Sequence, residues 1–157
     1  MNPLIISNRS KIDNLLNKYR AADDDNLKKD IARYACVLVS GYIEESLRVI
    51  ISDYAKGKSA PIISKFVDSK VNKVTNCHFN KIVEILKLFH PPWADKFCEE
   101  VGQREIIENQ FKDIVDSVVA TRHQIAHGKN TGISIRIITD YYDCIKIVIE
   151  ILDEAIA

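Results

Sequence analysis

The stretch Gln103–Gly128, "QREIIENQFKDIVDSVVATRHQIAHG", carries the strongest helical period in the chain. Ile106, Ile107, Phe111, Ile114, Val115 and Val118 recur at spacings of three and four, which places them on one face of a helix and predicts that they point inward. The stretch then changes character. Arg122, His123 and His127 crowd into its last turn and a half, and Gly128 follows as a residue suited to a left-handed cap. An apolar face that ends in three nitrogen-rich side chains makes this segment both the key to the fold and the place to look for chemistry.

Working outward, the same 3.6-residue period recurs along most of the chain. Pro3 opens a short helix to about Arg20, with Ile5, Ile12, Leu15, Leu16 and Tyr19 as its stripe. "AADDDN" (21–26) supplies an acidic cap and first turn for a long helix that Gly57 ends. The middle of that helix is apolar nearly all round, as expected of a central helix with several neighbours. Ser59 and Pro61 start a short helix, and "NCHFNKIVEILKLFH" (76–90) forms another, with Phe79, Ile82, Ile85, Leu86 and Phe89 inward. Pro91–Pro92 breaks it, and "WADKFCEEV" (93–101) allows one or two turns before Gly102. After "GKNTG" (128–132), Ser134 can cap a final amphipathic helix, although "ISIRIIT" (133–139) has local strand character. The expected fold is all-α: one domain over residues 1–157, a helical bundle of two long antiparallel hairpins with shorter helices between them.

Composition narrows the function. The chain has 157 residues and equal numbers of basic and acidic side chains, 22 each. Zero formal net charge argues against coating nucleic acid by bulk charge and leaves room for a local basic patch. No leader-like N-terminus or membrane-length apolar run is visible, which points to a cytoplasmic protein. The four cysteines, Cys36, Cys77, Cys98 and Cys144, are dispersed with no CxxC pair, so the expectation is reduced thiols.

A neutral histidine is well suited to accept a proton near pH 7, and the arginine fork grips phosphate oxygens. A base beside a phosphate clamp is the equipment for cleaving RNA through its own 2′-hydroxyl. His123 and His127 share a helix face, whereas Arg122 and His127 lie about 140° apart around a continuous helix. Either the cap at Gly128 relaxes that separation, or a second copy of the helix supplies the missing partner. Two other readings use the same residues. Cations at a helix C-terminus stabilise it through the macrodipole. Histidines at i and i+4 can ligate zinc, with His78 and His90 as possible further ligands, although "HQIAH" has Gln124 where a zinc protease needs glutamate.

"RHQIAHG" (122–128) at the end of a penultimate helix resembles the signature of the HEPN superfamily, and most closely its RiboL-PSP type. In that pattern an arginine and a polar residue precede a histidine, here Arg122, His123 and His127. "LVSGYIEESL" (38–47) is a second similarity, with Glu44 at the position where such domains often carry a glutamate. The resemblance implies a metal-independent, cofactor-free endoribonuclease that leaves a 2′,3′-cyclic phosphate and a 5′-hydroxyl. It implies a homodimer with the motifs meeting near the two-fold axis, and a role in toxin-antitoxin, phage-defence or RNA-processing systems, with an antitoxin or other regulatory protein as a partner. His127 would be the base and Arg122 the clamp, with His123 and Glu44 in support. Lys129, Asn130 and Arg136 follow the motif and could track RNA phosphates. Lys129 also departs from one branch, since toxins paired with a nucleotidyltransferase antitoxin usually carry tyrosine there. The competing reading is a HEPN fold kept as a binding or dimerisation module without catalysis. Of the aromatics outside the motif, Trp93 is expected to plug the core, and Tyr141 and Tyr142 cannot both face inward.

Overall fold

The computed structural model describes every residue from Met1 to Ala157 and contains seven helices and no strand. They are α1 (Pro3–Tyr19), α2 (Asp25–Lys58), α3 (Pro61–Val71), α4 (Phe79–Phe89), α5 (Pro91–Arg104), α6 (Gln110–Ala126) and α7 (Ile135–Ile156). The two long hairpins, α1–α2 and α6–α7, form the body of the bundle, and α2 packs against α1, α3, α6 and α7. The fold is the expected all-α, HEPN-like bundle.

Helix boundaries follow local chemistry. The Asp24 carboxylate accepts from the N–H groups of Asn26 and Leu27 at 2.8 and 3.1 Å, satisfying two donors that the first turn of α2 cannot pair itself. Pro3 and Pro61 sit at the first helical position, where a missing N–H costs nothing. The Ser134 hydroxyl accepts from the N–H of Ile137 at 3.2 Å, so "ISIRIIT" enters a helix in spite of its β-branched residues. Once capped, Ile135 and Ile138 bury on the same face, and burial outweighs their intrinsic preference.

Four details depart from the sequence reading. The period does not run unbroken through Gln103–His127: α5 continues through Gly102 to Arg104, and residues 105–109 form a turn before α6. The Glu105 carboxylate causes the break by accepting from the backbone N–H groups of Asn109 and Phe111 at 3.1 and 2.8 Å, which caps the start of α6. Ile106 and Ile107 consequently point outward, 93% and 67% exposed, whereas Phe111, Val115 and Val118 are buried as expected. α5 is 14 residues long rather than one or two turns, and α2 passes Gly57 to end at Lys58. Trp93 is only half-buried and meets Tyr54 edge-on, with ring centroids 4.8 Å apart.

The helices' relative directions decide which residues share an end of the bundle. Tyr42 meets Tyr142 edge-on at 6.2 Å, and further along both helices Ile50, Asp53 and Tyr54 line a pocket with Asp153, Ile156 and Ala157. α2 and α7 therefore run parallel. α6 returns antiparallel to both, and the Cys36 thiol lies 3.6 Å from the Val118 carbonyl oxygen where it crosses α2. One end of the molecule accordingly gathers the C-terminus of α6 with the N-termini of α2 and α7.

Candidate active site

Arg122, His123 and His127 lie at that end, in the last turn and cap of α6. The His127 N–H donates to the His123 carbonyl at 3.2 Å, so the backbone is still helical when it reaches His127. The chain reverses only afterwards. Gly128 adopts φ +69°, its N–H donates to Ile125 O, and the Lys129 N–H donates to Gln124 O, both at 3.0 Å. These are the paired bonds of a Schellman cap, which needs a residue tolerant of the left-handed region one place beyond the C-cap.

This cap bears on one of the two ways of joining Arg122 to His127. The backbone leaves helical angles at His127 itself (φ −91°, ψ 14°), but its N–H still bonds His123 O, which keeps it near the bearing of about 140° from Arg122 that a continuous helix gives. The cap does not swing the imidazole back. His123 and His127 instead form an adjoining pair, with ring centroids 4.4 Å apart at 65°, and both are exposed.

Arg122 occupies a different surface. It continues the 4–3–4–3 series Phe111, Val115, Val118, Arg122, Ile125, the face α6 turns toward the core. Arg122 and Ile125 are half-buried where that face runs out of cover. The guanidinium has no hydrogen-bond or ion-pair partner within the chain, a condition it shares with half-buried Arg33, whereas half-buried Arg9 and Arg48 each have several. A half-buried fork with unspent donors is a binding group in waiting.

Glu44 does not join this cluster within one chain. Its Oε1 accepts from the Asn76 N–H at 2.7 Å and its Oε2 lies 3.6 Å from Arg48 Nη2. It thereby anchors the α3–α4 loop, where Asn76 is left-handed at φ 53°. From the Cys36–Val118 crossing, Glu44 lies about 12 Å one way along the bundle and His127 about 13 Å the other, at about 1.5 Å per residue. Lys129 and Asn130 are exposed on the loop after the cap. Arg136 is exposed in the first turn of α7 and lines a cleft there.

The other histidines are occupied elsewhere. His78 Nδ1 lies 3.4 Å from Asp116, and His90 packs edge-on to Trp93 at 5.4 Å. Neither approaches the His123–His127 pair as a zinc ligand would, and no group of three or more His, Cys, Asp or Glu side chains converges in the chain. Burial pushes the Cys36 thiol up to about 11, and burial with the nearby Glu44 carboxylate pushes Cys77 up to about 12. Both thiols are protonated and inert at neutral pH. Tyr142 is buried against Tyr42, away from the cluster, and Tyr141 is half-buried.

A model of the RiboL-PSP-HEPN family matches residues 4–157, nearly the whole chain. The chain belongs to the RiboL-PSP-HEPN family. Neither a curated protein nor a solved structure matches it. No helix of this HEPN domain is long and apolar enough to cross a membrane. Reading the sequence alone overlooked Arg20 and Lys28, which line the same cleft as Arg136. No spacing rule connects side chains more than 100 positions apart, so only the convergence of α1, α2 and α7 reveals them.

Proposed function

We propose that this HEPN domain is a metal-independent endoribonuclease, working as a homodimer in toxin-antitoxin, phage-defence or RNA-processing systems. His127 removes the proton from an RNA 2′-hydroxyl, and the 2′-oxygen attacks the adjacent phosphorus. The P–O5′ bond breaks, leaving a 2′,3′-cyclic phosphate. The departing 5′-oxygen takes a proton from the imidazolium that His127 has become, or from solvent. Arg122 holds the non-bridging phosphate oxygens as charge builds on them. His123, against the His127 ring, fixes its orientation or contacts RNA, and Lys129 and Asn130 lie beside the path of the strand.

The observation that carries this reading is the half-buried, unpartnered Arg122 near the end of α6, whose C-cap is His127. One protomer holds the two groups on different sides of α6, so a site using both draws Arg122 from one copy and His127 from another. A two-fold axis beside the end of α6 supplies that arrangement twice.

The test combines mass and chemistry. Light scattering of the purified chain at micromolar concentration should give a dimer. A broad RNA panel should be cut in excess EDTA to fragments with cyclic-phosphate and 5′-hydroxyl ends. A monomer, or activity abolished by chelation and restored by zinc, overturns the reading. A dimer that leaves all RNA intact assigns the fold to binding or dimerisation without catalysis.

A further inference from the structure

Arg20 ends the α1–α2 hairpin's first arm, Lys28 lies in the first turns of α2, and Arg136 opens α7. With Ser134, Ile135, Thr139 and Asp140 they line an open cleft of about 530 Å³. It lies at the same end of the bundle as His127, joined to it by the loop 128–134, whose seven steps span at most about 25 Å.

The chemistry of the lining is one-sided. The Thr139 hydroxyl donates to Ile135 O at 2.6 Å, and the Ser134 hydroxyl caps α7. Arg20 and Arg136 have no partner in the chain, and Lys28 has only the loose, exposed ion pair with Asp25 at 3.7 Å. Three cations against the single carboxylate of Asp140 leave the lining at +2. The hydrogen-bonding capacity that remains is therefore mainly that of donors, which suits a ligand that only accepts and carries negative charge. The lining has no aromatic ring and one apolar side chain, Ile135, so nothing there stacks on a base.

We propose that this cleft is a phosphodiester-binding subsite, which grips the RNA backbone away from the scissile linkage without reading sequence. The subsite rests on the nuclease reading for its substrate. It gives a chain of zero net charge one local place to hold a polyanion, since three cations line the cleft. Arg20 and Arg136 are the gripping residues, and Lys28 adds charge.

The experiment uses the full chain carrying His127→Ala, so that RNA is bound and not cut. Affinity for two single-stranded RNAs of unrelated sequence is measured against salt concentration, with and without Arg20→Ala and Arg136→Ala together. Each phosphate contact contributes about 0.7 to the slope of log K against log salt for single strands. The pair of substitutions should lower the slope by about 1.4, equally for both RNAs, with the melting temperature unchanged. Lys65→Ala with Lys87→Ala, two exposed lysines on α3 and α4, should leave the slope as it was. An unchanged slope in the cleft variant, an equal fall in the lysine control, or a fall for only one RNA overturns the proposal. Inorganic phosphate is the other source of the same chemistry. If it binds the cleft at micromolar concentration while the RNA slope ignores the substitutions, the cleft is a free-anion site and the proposal fails. Cleavage by the wild type is scored separately. A lowered slope with no cleavage leaves the subsite standing and removes the nuclease reading, and cleavage with an unchanged slope does the reverse.

Discussion

Arg9 and Arg122 are both half-buried arginines on bundle helices, and the fold treats them in opposite ways. Arg9 lies mid-bundle between α1, α2 and α7. Its Nε donates to the Tyr42 hydroxyl at 2.7 Å, and its Nη2 donates to Lys146 O at 3.1 Å and Glu150 Oε1 at 3.0 Å. The Tyr142 hydroxyl in turn donates to Arg9 O at 3.2 Å. Burial alone would lower the guanidinium pKa, but the bonds to Tyr42 and Glu150 outweigh it and the net direction is upward. Arg122 has the same fork and comparable cover, and makes none of these bonds. A fold can spend an arginine's donors on itself or leave them free, and Arg9 and Arg122 differ in partner count where burial does not separate them.

The largest effect expected from this contrast is on activity. Arg122→Ala and His127→Ala should each reduce cleavage on the order of 10² to 10⁴, with stability changed by less than about 1 kcal/mol. Initial rates on a labelled RNA, beside melting curves, check both halves. A large drop in melting temperature for Arg122→Ala would make it a structural arginine after all and erase the contrast.

Arg9→Ala is the mirror experiment. It leaves the Tyr42 hydroxyl and the Glu150 carboxylate without their shared donor, and should cost about 2 to 3 kcal/mol. Urea unfolding should show it, while specific activity per folded molecule stays near wild type. A stable Arg9→Ala protein that has lost activity would reverse the assignment.

A smaller effect belongs to the cap. Gly128→Ala forces a Cβ into φ +69°, at a cost of about 1 to 2 kcal/mol. Nothing lies within 4 Å of the added carbon, so the penalty is backbone strain and not collision. The variant should melt lower and lose some cleavage, because the cap holds the last turn that presents His127. Gly128→Asn, which tolerates the left-handed region better, should recover most of both.

The smallest effect expected is at Glu44. Glu44→Gln keeps an acceptor for the Asn76 N–H, so cleavage should stay within about twofold and stability within about 1 kcal/mol. A loss of cleavage comparable to that of His127→Ala would show that Glu44 reaches an active site that one chain does not contain.

Much of the fold was legible because its signals are local. The 3.6-residue period marked the buried faces of α2, α4, α6 and α7, and Asp24, Pro3, Pro61, Ser134 and Gly128 each mark a helix end by chemistry that operates within four residues. The reading failed at Ile106 and Ile107, which continue the period perfectly well. Their segment is broken by Glu105 bonding forward to Asn109 and Phe111, a competition that an apolar pattern cannot register.

The sequence by itself determined the kind of molecule: an all-α chain with an Arg-His cluster at the end of its penultimate long helix. Periodicity, caps and motif spacing depend on neighbours along the chain, and the sequence contains those directly. Tertiary structure alone decided that Arg9 is tied into the bundle and Arg122 is not, that Glu44 anchors a loop far along the bundle from His127, and that Arg20 and Lys28 meet Arg136 in one cleft. Each of these depends on which helices run parallel and on what lies opposite each side chain. Such relations arise only when distant segments pack, and no spacing along the chain encodes them.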